Sequence, residues 1–363
     1  VKPISSTQAG TSFSQCPKSR LSERIAIIVG HKGQDGRLLN SLLQGRGYSV
    51  IGIGRSRVET FGPIDSVPPC SLSEPETLAT LVRRTQPNEI YYLAAHHGSS
   101  ESQHRNPLRE WQSLHAVNVD GLLSFLESIR LYAQSCRLFY ASSSLIYGSH
   151  PAASPQTEDT PCNPDEPYGA SKAYAADICR DYRRHLGVFA SVGILYNHES
   201  HLRRGDFLSM KLARGAIAAS RGDNAHVAVG SLDATVDWGY APDFVDAFTR
   251  ILQVDYPTDF VVATGVMHSV RDFADAAYRR VGLDWSRYVR EVPSILARRR
   301  TGRVGNPAKL RRLTGWLPSL SFEGMVHAIV DAVAESDTQI TDPQSHQATP
   351  LASNGQESLR QIR

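Results

Sequence analysis

Arg24-Ile-Ala-Ile-Ile-Val29 runs directly into Gly30-His-Lys-Gly33-Gln-Asp-Gly36, and then into Arg37-Leu-Leu-Asn-Ser-Leu-Leu43. The first piece is a near-continuous apolar run, the pattern of a strand buried on both faces. The last piece carries Leu38, Leu39, Leu42 and Leu43 at helical spacing and predicts a helix over 34–46. The glycines between them fall as G-x-x-G-x-x-G. A glycine turn between strand and helix lets backbone approach a pyrophosphate. The free N–H groups and positive dipole end of the helix then face the anion. Glycines at such a junction also serve a tight turn alone, but the strand and helix on either side favour the dinucleotide reading.

Working outward, the same alternation continues. Strands are expected at 49–53, 89–93 and 137–142, with helices over 74–85 and about 108–132. Alternating strands and helices predict parallel strands joined by right-handed crossovers, so the expected fold class is α/β with a doubly wound parallel sheet. Beyond Ser200 the alternation weakens, and shorter elements such as Asp243–Gln253 and Asp259–Ala263 are read as a smaller cap. The expected organisation is a flexible N-terminal tail (1–22), a dinucleotide-binding domain (23–200), a mainly cap-forming region with segments returning to the core (201–334), and a flexible C-terminal tail (335–363). Both tails are polar and lack an apolar period.

Of 363 residues, 41% are hydrophobic and 21% charged, which excludes a wholly disordered chain and leaves ample material for a core. The net charge of +3 argues for neither a nucleic-acid nor a membrane partner. The five cysteines are odd in number and contain no C-x-x-C pair, so neither a disulfide framework nor a zinc ribbon is indicated. No apolar run approaches a membrane span and residues 1–22 do not read as a signal peptide, so a reducing, cytoplasmic location is expected.

The second strand ends in Gly54-Arg55-Ser56-Arg57. An NAD site would place an Asp or Glu there for the ribose hydroxyls. Two arginines and a serine suit the 2′-phosphate of NADP better, against the competing reading of a solvated basic loop. Further on, a strand end opens into Ser143-Ser144-Leu145, followed by Tyr168-Gly-Ala-Ser-Lys172. Tyr and Lys at i, i+4 share one helix face, where an ammonium lowers the phenol's pKa; a serine hydroxyl can bond the same substrate oxygen. Ser143, Tyr168 and Lys172 are therefore the candidate catalytic set for moving a proton while hydride leaves or joins a carbon. His198-Glu-Ser-His201 lacks H-E-x-x-H spacing, so no metal site is expected, and no G-x-S-x-G elbow supports a hydrolase.

With those residues in place, the chain resembles the extended short-chain dehydrogenases/reductases that modify nucleotide sugars. Within them it is most similar to the GDP-mannose 4,6-dehydratases. Val29–Gly36, Leu93-Ala-Ala95, Gly193–Ser200 with Arg203-Arg204-Gly205, Gly230–Ala234, Asp237–Tyr240, Gly305–Lys309 and Thr314-Gly-Trp316 carry the likeness over about residues 24–334. The resemblance implies a Rossmann domain, bound NADP, a nucleotide-sugar cap and a homodimer or homotetramer. It also implies oxidation of a hexose at C4, loss of water across C5–C6, and hydride return to C6. It places Gly30, Gly33, Gln34, Asp35, Gly36, Arg55, Ser56, Arg57, Leu93, Ala94, Ala95, Tyr168, Lys172 and His198 at the cofactor. Ser102, Ser144, Asn197, Lys211, Arg298 and Arg300 are placed at a substrate such as GDP-mannose.

The departures bear on chemistry. Those dehydratases carry a Glu two residues after the Thr/Ser, for the C5 proton and the departing C6 hydroxyl; here Leu145 stands there. Ala234-Thr-Val-Asp237 replaces a segment with two basic residues, and Ser71 replaces an adenine-binding Asp. His96 and His97 are candidates for a substitute acid/base. A 4-epimerase or 4-keto-sugar reductase is therefore the rival expectation, and a non-catalytic NADP-binding regulator the expectation from another class.

Overall fold

The computed structural model describes residues 24–55, 57–64, 67–95, 106–296 and 302–341. The first half alternates as expected: β1 (Ile25–Val29), α1 (Gln34–Gly45), β2 (Ser49–Ile53), β3 (Val58–Phe61), α2 (Pro75–Thr85), β4 (Glu89–Tyr92), α3 (Pro107–His115), α4 (Gly121–Tyr132), β5 (Arg137–Ser143), α5 (Pro167–His185) and β6 (Phe189–Leu195). The helix expected over 108–132 is interrupted by a π-helical stretch, Ala116–Asp120, between α3 and α4. The second half holds β7 (Asn197–Glu199), α6 (Leu208–Ser220), β8 (Val227–Val229), β9 (Thr235–Tyr240), α7 (Ala241–Ile251), β10 (Asp259–Val262), β11 (Met267–Ser269), α8 (Val270–Arg280), β12 (Val289–Glu291), α9 (Ala308–Thr314) and α10 (Phe322–Thr341).

Seven strands form the main sheet in the order β10-β6-β5-β4-β1-β2-β3, parallel throughout except for the antiparallel edge pair β2–β3. Alternate residues of each strand go to opposite faces. Ile27, Val29, Ile90, Tyr92, Leu138 and Tyr140 pack with Leu81, Phe125 and Ala176 on one side. Ala26, Ile28, Tyr91 and Phe139 pack with Leu39, Phe244 and Phe248 on the other. Both faces are covered, which is why the strands read as unbroken apolar runs. The strand order reverses at β1, so a crevice opens at the carboxyl ends of β1 and β4, where ligands of doubly wound sheets bind.

Two elements expected in the cap belong to this core. β10 joins the main sheet beside β6, and α7 packs against α1. A strand of 4 residues, buried throughout, has no period of its own to say which sheet it joins. A separate cluster beyond the carboxyl edge comprises α6, α8 and α10 around Trp238, Phe273 and Tyr278, with the small sheets β11-β9-β7 and β12-β8. α10 continues to Thr341, past the point at which the sequence suggests a tail. Among the described residues, no helix is long and apolar enough to cross a membrane.

Candidate active site

The glycine turn is fixed by close packing. Gly30 adopts φ +93°, and a Cβ there would lie 2.8 Å from the Ala94 amide nitrogen and 3.1 Å from the Leu93 carbonyl carbon. A Cβ on Gly36 would lie 2.5 Å from His31 Cα, so the first turn of α1 sits directly on the loop. At Gly33 the nearest atom would be 3.4 Å away, leaving room for a ligand over the helix N-terminus. These spaces fit a dinucleotide pyrophosphate held by Gly30, Gly33 and the first amides of α1.

A buried network ties that helix to β7, between residues 163 to 166 positions apart in sequence. His198 Nδ1 donates to the Tyr196 carbonyl (2.7 Å) and Nε2 faces Asp35 Oδ2 (3.0 Å). Gln34 Nε2 donates to Asp35 Oδ1 (3.0 Å) and the His198 carbonyl (3.1 Å), while its Oε1 accepts from Ser200 Oγ (2.9 Å). Both imidazole nitrogens meet acceptors, an arrangement that suits the doubly protonated ring. Burial opposes charge on His198, but the Asp35 carboxylate outweighs it and raises its pKa; Asp35 is lowered, since His198 overcomes the same burial. The ring also stacks on Phe244 at 4.5 Å.

The chemical end lies where β5 meets α5. Ser143, half-buried at the end of β5, accepts the Leu145 amide on Oγ (3.2 Å) and retains its hydroxyl proton for donation. Gly169 lets the first turn of α5 rest on the Leu145 carbonyl, 2.5 Å from where a Cβ would be. Lys172 is 1% exposed; its Nζ donates to the Ala141 carbonyl (2.7 Å) and sits 5.8 Å from the centre of the Tyr168 ring. Burial lowers the Lys172 pKa to about 7. Ser171 Oγ donates to the Tyr168 carbonyl (2.8 Å) and accepts from Asn118 Nδ2 (2.9 Å). Asn118 projects from the π-helical stretch and leaves its buried Oδ1 without a partner among the described residues.

A cleft of about 390 Å³ brings Asp35, Leu93, Ala95, Ser143, Ser144, Leu145, Tyr168, Lys172, Asn197 and His198 together. Gly30, Gly33, Gln34, Gly36 and Ala94 lie behind it in the turn and its packing, outside the cleft wall itself. Lys211, half-buried on α6, and the exposed Arg55 and Arg57 also do not line it. Ser56, Ser102, Arg298, Arg300, His96 and His97 lie outside the described residues.

The cleft also holds residues that sequence reasoning did not select. Glu199 accepts from Ser209 Oγ (2.6 Å) and lies 3.4 Å from Arg203 Nε, whose guanidinium covers the Phe207 ring. Asp206 pairs with Arg204. Arg303 donates to the Gly148 carbonyl (2.9 Å). Only the third dimension brings Arg303 to Glu199, Arg203 and Asp206 in this cleft, and Asn118 carries no signal beyond its place in a helical stretch. Among the described residues, no three His, Cys, Asp or Glu are grouped to hold a metal.

The family model for GDP-mannose 4,6 dehydratase matches residues 27–329. The chain belongs to that family. It is 33% identical to GDP-mannose 4,6 dehydratase 2 of Caenorhabditis elegans, over 88% of this chain and 91% of that one. It is 38% identical to GDP-mannose 4,6-dehydratase of Sinorhizobium fredii, over 72% and 77% respectively. Among solved structures it is similar in fold to RMD from Pseudomonas aeruginosa complexed with NADPH (TM-score 0.70, 21% identity, 86% of this chain and 99% of that one). It is also similar to UDP-glucose 4-epimerase from Thermus thermophilus complexed with NAD (TM-score 0.70, 22% identity, 85% and 98%). The expected doubly wound Rossmann fold and the expected dehydratase family are thus both found. Leu145, where the resemblance implies a carboxylate, is 7% exposed and lines the cleft.

Proposed function

We propose that this member of the GDP-mannose 4,6-dehydratase family binds NADP(H) and performs redox chemistry at C4 of a nucleoside-diphosphate hexose of the GDP-mannose class. The observation that carries the reading is that Ser143, Tyr168 and Lys172 line one cleft together with the glycine turn's neighbours, Leu93 and Ala95. When bound, the nicotinamide supplies the hydride chemistry. Tyr168 exchanges a proton with the oxygen on C4, and the Ser143 hydroxyl donates to that same oxygen. Charged Lys172 lowers the cost of the tyrosinate through its field, an effect strengthened by burial. Arg55 and Arg57, at the end of β2, are the proposed partners of a 2′-phosphate, and the exposed Asn197 that of the sugar nucleotide. Leu108 and Trp111 on α3 and Tyr174 on the adjoining α5 are large, apolar and exposed, which supports a homo-oligomer formed across these helices.

Leu145 favours a second reading within the same chemistry, a 4-epimerase or 4-keto-sugar reductase that omits elimination. Incubation with GDP-mannose, followed by mass and NMR, separates the two. Loss of one water with a new 4-keto group identifies the dehydratase; a same-mass epimer, or NADPH consumption only with a keto-sugar, identifies the second reading. Tight NADP binding without turnover on any nucleotide sugar would overturn both.

A further inference from the structure

We propose that the sugar handled in this cleft has no hydroxyl on C6. Its substrate is a nucleoside-diphosphate 4-keto-6-deoxyhexose, supplied by a separate water-eliminating reaction and reduced here at C4. The proposal rests on the redox reading above and names the substrate class for it.

Leu145 is clamped between the two residues proposed to hold the C4 oxygen. Its amide donates to Ser143 Oγ at 3.2 Å and its carbonyl supports the turn of α5 at Gly169, next to Tyr168. Leu145 lines the cleft and is 7% exposed. A pyranose C4 has two ring neighbours, and only C5 bears a carbon substituent. A hydroxyl on that substituent, pressed on Leu145, loses water without gaining a partner, whereas a methyl group gains contact. Elimination from a 6-hydroxy sugar would also need a group to take the C5 proton and deliver one to the leaving hydroxyl. The described carboxylates of the cleft are Asp35, Glu199 and Asp206, and each is engaged elsewhere: with His198, with Ser209 and Arg203, and with Arg204. Reduction needs no such group. Hydride passes from NADPH to the C4 carbonyl carbon, the C–O π bond opens, and the Tyr168 hydroxyl protonates the oxygen. NADP+ and a C4 hydroxyl result, and solvent reprotonates Tyr168.

The full chain is tested in both directions by nicotinamide absorbance. NADPH is expected to be consumed with a GDP-4-keto-6-deoxyhexose. In reverse, NADP+ reduction is expected to favour a GDP-6-deoxyhexose over its 6-hydroxy parent by about tenfold to a hundredfold in kcat/KM, the range in which an apolar pocket rejects an added hydroxyl. Leu145→Gln is expected to narrow that ratio and Leu145→Met to preserve it, with NADPH fluorescence reporting an intact cofactor site in each. Equal or better turnover of the 6-hydroxy sugar, or of a hexuronate, would overturn the proposal while leaving the redox reading standing. Absence of redox on every sugar would overturn that reading itself. If Leu145→Gln does not bind NADPH, the wild-type ratio and Leu145→Met decide the matter.

Discussion

At the nucleotide end of the cleft, Gln34, Asp35, His198 and Ser200 satisfy one another in a buried network, and the glycine turn leaves no room for a β-carbon at Gly30 or Gly36. At the proposed sugar end, Ser143 and Tyr168 lie beside Leu145, where the resemblance implies a carboxylate, and Ala234, Thr235 and Val236 also line the cleft. The first end is over-determined, so that few residues there can change without disturbing the others. The second end holds the proposed proton-transfer pair in surroundings that differ from those the resemblance implies. In the proposed function, cofactor geometry and substrate choice reside in separable parts of one cleft, and substitutions at each end should separate their effects.

The largest effect is expected at the sugar end. Tyr168→Phe should lower turnover by about a thousandfold, the scale of a lost general acid or base, with NADPH affinity unchanged. Steady-state rates and fluorescence titration check this; retained turnover would remove Tyr168 from the mechanism. The proposed reduction requires both a protonated Tyr168 and a charged Lys172. Because burial lowers Lys172 to about 7, the reductive rate should decline as pH rises through that value. A rate–pH profile with no limb in that region would break the proposed partnership.

At the nucleotide end, Gly30→Ala combines positive φ with a clash against the Ala94 backbone and should cost about 3 kcal/mol, read by denaturant titration. Asp35→Asn should cost about 2 kcal/mol near pH 6 by weakening a charge-assisted bond. The raised His198 pKa contributes stability that is full below about 6.5 and lost as pH rises through its folded value. The lowered Asp35 pKa contributes stability that is full above about 3.9 and lost as pH falls through its folded value. The difference between wild type and Asp35→Asn should therefore be widest between those pH values and shrink on either side. A difference independent of pH would mean that the pair is not ionic.

The contrast also accounts for what the sequence could disclose. The glycine turn, the strand runs and the Tyr168/Lys172 spacing are local, and each requires particular residue types at particular separations. They could be read directly. The main sheet's β10 could not, because burial on both faces removes the alternation that would assign it. The His198–Asp35 contact joins residues 163 positions apart and emerges only when β7 crosses the N-terminus of α1. Asn118 becomes significant only because a π-helical stretch turns it toward Ser171. Local constraint is legible in one dimension, and juxtaposition is not.

The smallest expected effect concerns Arg55 and Arg57, and it tests how far the nucleotide end's constraint extends. Both are exposed at the end of β2, away from the buried network. Nearby, Glu59 on β3 already engages Lys32 (2.6 Å) and contacts His31 (3.1 Å), so the charge of Lys32 is partly neutralised. If a 2′-phosphate binds here, the arginines supply most of the remaining positive field, through bonds that solvent weakens. Replacing either with Ser should reduce the NADPH-to-NADH ratio of kcat/KM by about tenfold, with a smaller change at high salt. NADH kinetics should be nearly unaffected, since the lost bonds serve a group that NADH lacks. An unchanged ratio would make this a solvated basic loop and would confine the constrained architecture of the nucleotide end to the pyrophosphate turn and the His198–Asp35 network behind it.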